Sequence, residues 1–153
     1  MKILAIGDVT SPAGLVHLEK RLWGIRRKFE IDFCVVNGEN ASFITGISKD
    51  GAEKLLRSGA DVITGGNHTF KKKQIYDYLD SHEMAIRPAN YPSDAPGDGY
   101  CIADCMGWRV LVINLLGTTF MDSMDSPFKV ADRIISQNAG KYDICLVVTS
   151  GCV

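Results

Sequence analysis

A chain of 153 residues, 46% hydrophobic and 23% charged, suits one soluble domain with a real core. Its formal net charge of −1 offers no bulk attraction to nucleic acid or to an anionic membrane. No apolar run approaches the roughly 20 residues that span a bilayer, and the N-terminus enters a strand after one lysine, too soon for a secretory h-region. A cytoplasmic location with no membrane partner is the default expectation. The first strand is Ile3-Leu4-Ala5-Ile6-Gly7-Asp8. After the Thr10-Ser11-Pro12 loop, Leu15, Leu18, Leu22 and Ile25 recur at helical spacing, with Lys20, Arg21, Arg26 and Arg27 on other faces.

Ile31 to Asn37 reads as a second strand that runs into Gly38-Glu39-Asn40. Ala41 to Ile47 is loop, and Ser48-Lys49-Asp50 opens a helix with Ala52, Leu55 and Leu56 inward and Gly59 as its stop. Asp61 to Thr64 is a third strand ending in Gly65-Gly66-Asn67-His68. Lys71 to Leu79 reads as one helix with Ile75, Tyr78 and Leu79 on one face. Arg87 to Gly99, rich in Pro, Gly and Asp, is loop. Tyr100–Asp104 and Arg109–Leu115 form a hairpin around Met106-Gly107-Trp108. Pro127 to Asn138 is a fourth helix, and Ile144 to Val148 a last buried strand.

Five cysteines, an odd number, argue against a disulfide framework. Cys34 and Cys145 sit in apolar runs and read as core residues. Cys101 and Cys105 have half-site spacing for zinc, but no second Cys/His pair accompanies them, so reduced structural thiols are the better reading.

The strand ends carry the chemistry. A βαβαβ run is parallel, so Asp8, Glu39–Asn40 and Asn67–His68 emerge at one sheet edge, where open α/β sheets place ligands. Their oxygen and imidazole donors suit divalent metals. Each end alone is ordinary turn or cap chemistry; one topology gathering three of them is the signal. Asp8 and Glu39 bring two negative charges, and Asn40 and Asn67 bring neutral carbonyls. With two dications and a hydroxide, the net of about +1 suits an anionic phosphodiester. Glu39 is the natural bridging ligand, and His68 is placed to give a proton to a leaving oxygen rather than to bind metal. A plain dinucleotide-binding fold is disfavoured, because no Gly-x-Gly-x-x-Gly follows the first strand.

Gly7-Asp8, Asn37-Gly38-Glu39-Asn40 and Gly66-Asn67-His68 resemble motifs of the calcineurin-like metallophosphoesterases, most closely their bacterial YmdB-like branch. Arg87-Pro88-Ala89-Asn90-Tyr91-Pro92, Asn114-Leu115-Leu116-Gly117 and Asp125-Ser126-Pro127-Phe128 resemble further motifs of that branch. The resemblance implies the N-terminal half of an α/β/β/α sandwich: a mostly parallel βαβαβ sheet plus a hairpin. It implies two divalent ions, iron or manganese, held by Asp8, Glu39, Asn40 and Asn67, with Glu39 bridging and His68 as proton donor. It also implies hydrolysis of phosphodiesters, 2′,3′-cyclic nucleotides among them.

Departures from the family pattern accompany the match. Thr118 stands where the family usually has Arg, and Thr10 stands where most of the superfamily has His. Ser150 falls about where the branch has the first of three later histidine ligands, and His17 and His82 lie outside any replacing motif, as solvated surface residues. Residues 1–148 are thus expected to be a truncated metallophosphoesterase domain and 149–153 a departing tail. The chain by itself is expected to be nearly inactive and weakly metal-bound. A non-catalytic binding or scaffold protein that keeps a partial metal site is the competing expectation. A missing half would also supply the facing sheet, leaving an apolar inner face that invites self-association.

Overall fold

The computed structural model describes residues 1–119, 121 and 124–151. Four parallel strands, β1 (Ile3–Ile6), β2 (Phe33–Asn37), β3 (Val62–Thr64) and β4 (Ala85–Ile86), form one sheet in the order β1-β2-β3-β4. Strands β5 (Tyr100–Cys105), β6 (Trp108–Leu116) and β7 (Ile144–Ser150) form a second sheet in that order. Within it, β5 and β6 are antiparallel and β6 and β7 parallel. The hairpin turn is Met106–Gly107, with φ of 55° and 85°, the double positive φ that matches the twist of the flanking strands.

Helices α1 (Ser11–Phe29), α2 (Lys49–Arg57) and α3 (Tyr76–Ser81) cover the outer face of the first sheet. Leu15, Leu22, Ala52, Leu55, Tyr78 and Leu79 bury their side chains there, among Cys34, Val36 and Ile63. Ser48 caps α2 by accepting a hydrogen bond from Gly51 N at 3.1 Å. Helix α4 (Pro127–Gln137) sets Val130 and Ile134 on Leu111, Ile113 and Leu115 of the second sheet. The layers therefore run α/β/β/α, as the sequence indicates.

Between the sheets lies a third cluster, in which Phe33, Val35, Val62 and Ile86 meet Cys101, Ala103, Val110 and Val112. This corrects one expectation. The inner face of the first sheet is not bare, because β5–β7 already supply the facing sheet. Burial of each large side chain there is worth about 1.5–3 kcal/mol. The stated ground for self-association through that face is gone.

Three further readings change. The segment from Lys71 to Leu79 is not one helix: two 3-10 turns, Thr69–Lys71 and Lys73–Ile75, precede α3. Its apolar face survives the break, with Ile75, Tyr78 and Leu79 buried. The two-residue strand β4 carries no sequence signal of its own and exists through pairing with β3. The last strand is longer than expected and only half-buried, with Val147 43% exposed, because β7 is an edge strand.

Cys34, Cys101 and Cys105 are buried free thiols, and Cys145 is partly buried. Burial pushes Cys34 up to about 11 and Cys101 up to about 12, so both stay protonated and unreactive at neutral pH. Cys152 lies outside the described residues.

Two buried asparagines fasten the sheets together at their shared end. Asn114 Nδ2 donates to the carbonyls of Gly65, at 3.0 Å, and Ile86, at 3.2 Å. Asn90 Nδ2 donates to Leu116 O at 2.8 Å, and its Oδ1 accepts from Leu116 N at 2.9 Å. The motifs around these residues thus brace the loops that follow β3 and β4. Asn114→Ala leaves buried carbonyls short of a donor and is expected to cost about 1–3 kcal/mol. Chemical denaturation of the two proteins measures it.

Candidate active site at the carboxyl edge

The parallel register sets the carboxyl ends of β1, β2 and β3 side by side. Asp8, Glu39, Asn40 and Asn67 follow those ends and line one cavity of about 440 Å3, together with Asn37, Ser150 and other residues. All four of the metal-ligand candidates from the sequence are brought together there.

Glu39 is the most enclosed of them, with 4% of its surface exposed. Its Oε1 accepts from Ser150 Oγ at 2.5 Å and from Asn37 Nδ2 at 3.5 Å, and its Oε2 accepts from the backbone N–H of His68 at 2.9 Å. Asn37 also turns the chain, its Oδ1 accepting from Glu39 N at 3.0 Å. Gly66 closes the cradle: a Cβ added there would overlap the Glu39 carboxylate. Asn37, Gly66 and Ser150 therefore shape the site although none was among the candidate ligands. For Asn37 the signal was present, since an Asn two residues before a turn amide is the usual Asx-turn arrangement.

A second chain of bonds starts at Asp8, which is exposed. Asn40 Nδ2 donates to Asp8 Oδ2 at 2.9 Å, and Asn40 Oδ1 lies 2.7 Å from His68 Nδ1. A carboxylate only accepts, so the Asn40 amide is fixed with its oxygen toward the imidazole. His68 Nδ1 must then carry the hydrogen, leaving Nε2 as the nitrogen that gains or loses a proton. His68 itself does not line the cavity; it is tied to it through Asn40 and Glu39. His17 and His82 are exposed and distant in the fold, on α1 and just after α3. His82 is a surface residue as expected, and it stacks one ring face on Tyr78 with ring centroids 3.8 Å apart.

The donor set fits a divalent cation in kind and falls short in number. Among the described residues, neither Asp8 nor Glu39 has a Lys or Arg within 4.0 Å; the imidazole Nδ1 of His68 lies 4.0 Å from Glu39 Oε2. A buried carboxylate without a basic partner is an electrostatic cost that a bound cation would offset. The Asn67 amide lines the cavity and makes no hydrogen bond among the described residues, leaving its carbonyl free to bind. Yet among the described residues no group of three or more His, Cys, Asp or Glu is close enough to hold a metal. Half of the candidate donors are neutral amides.

A mixed α/β sandwich with one parallel four-stranded sheet and a second sheet is a fold of metallophosphoesterase type. Within that class the chain belongs to the family described as YmdB-like protein, whose model matches residues 4–151. A Bacillus subtilis (strain 168) protein named 2′,3′-cyclic-nucleotide 2′-phosphodiesterase is 40% identical over 139 residues, covering 91% of this chain and 53% of the relative. A crystal structure of a hypothetical protein from Thermus thermophilus superposes with a TM-score of 0.91 at 33% identity, over 100% of this chain and 59% of that one. A crystal structure titled as a novel phosphatase of Mycoplasma pneumoniae gives 0.89 at 26% identity, over 100% of this chain and 56% of that one. The chain spans about half the length of the curated relatives it matches. No described helix is long and apolar enough to cross a membrane.

Proposed function

We propose that this chain carries the first half of a metal-dependent phosphodiesterase site, which acts on 2′,3′-cyclic nucleotides or similar phosphodiesters. The observation that carries this reading is the buried Glu39 carboxylate, without Lys or Arg, in one cavity with Asp8, Asn40 and Asn67. Those four residues would hold two divalent ions, iron or manganese, with Glu39 as the most enclosed donor. Ions bound there supply two effects, a water made acidic enough to act as nucleophile and positive charge against the phosphate oxygens.

The protein's own groups supply the rest. Asn37, Ser150 and the His68 amide hold Glu39 in one orientation. Asn40 holds the His68 ring, so that protonated Nε2 donates to the oxygen leaving phosphorus as its P–O bond breaks. By the name of the Bacillus relative, that oxygen would be the ribose 2′-oxygen. The second reading is a binding or scaffold protein with a partial metal site. The scarcity of charged and imidazole donors favours it for the 153-residue chain alone.

A chimaera separates the two. This chain replaces the matched half of the Bacillus relative, and hydrolysis of 2′,3′-cyclic AMP is followed with added Mn2+. Turnover within about tenfold of the parent supports the phosphodiesterase reading, and the chain alone is expected to be nearly inactive. A folded chimaera that holds metal but has no turnover would leave only the scaffold reading.

A further inference from the structure

Arg87 stands out by being buried with no counter-ion among the described residues. It follows β4, with its backbone N–H on Asp98 O at 2.9 Å, and only 6% of the residue is exposed. Its Nη1 donates to Pro88 O at 2.9 Å, while Nε is buried and has no partner among the described residues. No carboxylate of the described residues comes within ion-pair distance of the guanidinium. Burial pushes its pKa down, and Asp98 and Asp94, acting from further away, pull against that shift. A buried guanidinium served by one carbonyl is costly, and five N–H donors in a rigid fork are the geometry that matches phosphate and carboxylate.

The side chain lines a cavity of about 370 Å3, within the size range of small-molecule sites. Arg133 lines it too, from the exposed face of α4, and its side chain makes no ion pair or hydrogen bond among the described residues. Gln137, one helical turn further on, lines the same wall. Tyr91 and Tyr100 supply ring surface, and Asp98 and Asp125 supply acceptors. This cavity has no lining residue in common with the one that holds Asp8 and Glu39.

We propose that this second cavity is a binding site for a phosphate monoester, with the phosphate on Arg87 and Arg133. The pair of carboxylates selects the rest of the ligand. Bare anions would be repelled by Asp98 and Asp125, whereas hydroxyl groups donate to them, as the hydroxyls of a ribose or of monohydrogen phosphate do. Nucleoside monophosphates carry all of these groups, with a base that lies against tyrosine rings. The site is separate from the proposed hydrolytic centre and stands or falls without it.

The test is calorimetric titration of the 153-residue chain in EDTA, which strips cations from the carboxyl-edge cavity, with inorganic phosphate and with AMP as probes. Saturable binding is expected for both, and Arg133→Gln should weaken it about tenfold or more, the usual effect of losing one charge-assisted hydrogen bond. Arg133 is exposed, so the melting temperature of this variant should be unchanged. That keeps the test clear of Arg87→Gln, which could fail to fold. Asp8→Asn should leave binding as it is. AMP binding tighter than phosphate supports the monoester site; AMP binding no tighter than phosphate overturns the monoester assignment and leaves a site for free phosphate. Absence of saturable binding at 10 mM probe (about 3 kcal/mol of binding energy), or affinity untouched by Arg133→Gln, overturns the proposal.

Discussion

His68→Ala in the chimaera is expected to lower turnover on 2′,3′-cyclic AMP by roughly 10²–10⁴-fold, the range for a positioned general acid. Metal content should stay at the parent level, because the imidazole is assigned a proton and not a ligand position. The geometry gives the reason. Nδ1 is held by the Asn40 oxygen at 2.7 Å, so a single ring nitrogen is left to exchange protons. A substrate with a leaving group of low pKa, such as a nitrophenyl phosphodiester, needs little protonation and should recover much of the loss. Metal loss in step with the loss of rate would make His68 a ligand. An equal loss on both substrates would deny it the acid role.

Gly66→Ala is expected to disable cation binding and to destabilise the fold by about 1–3 kcal/mol, the usual cost of an overpacked core position. The new methyl would overlap the Glu39 carboxylate. An exposed glutamate would swing aside at little cost. Glu39 is buried and held by Ser150, Asn37 and the His68 amide, so moving it breaks those bonds. Either the carboxylate leaves the cavity or the β3–His68 loop shifts, and both separate Glu39 from Asn67. Thermal unfolding and Mn2+ titration read the two effects separately. A variant with wild-type Mn2+ affinity would show that Glu39 is not where the cation binds.

The polar strand ends were legible because two rules combine: parallel strands share an edge, and only the residues just past their ends reach it. Neither rule needs long-range information, so Asp8, Glu39, Asn40 and Asn67 could be placed together from sequence alone. Ser150 was different. Its contact with Glu39 spans 111 positions and depends on the second sheet stacking in register on the first. The covered inner face is not legible for a related reason. The sequence shows the hairpin as two strands and a turn, but local pattern does not say which sheet a hairpin packs against. The broken helix before α3 shows tertiary context overriding propensity, since the Ile75, Tyr78 and Leu79 stripe suits either geometry. Arg87 opens a recognisable motif, but the motif does not say that its side chain is buried at a cavity; only the fold shows that.

Titration of the purified 153-residue chain with Mn2+ tests most directly whether Asp8, Glu39, Asn40 and Asn67 form a cation site. The electron paramagnetic resonance signal of free Mn2+ counts the ions bound. With only two carboxylates among four donors, the expected result is weak, saturable binding that Glu39→Gln abolishes and Asp8→Asn reduces. Binding that Glu39→Gln leaves unchanged, or no saturable binding by the wild-type chain, would contradict it.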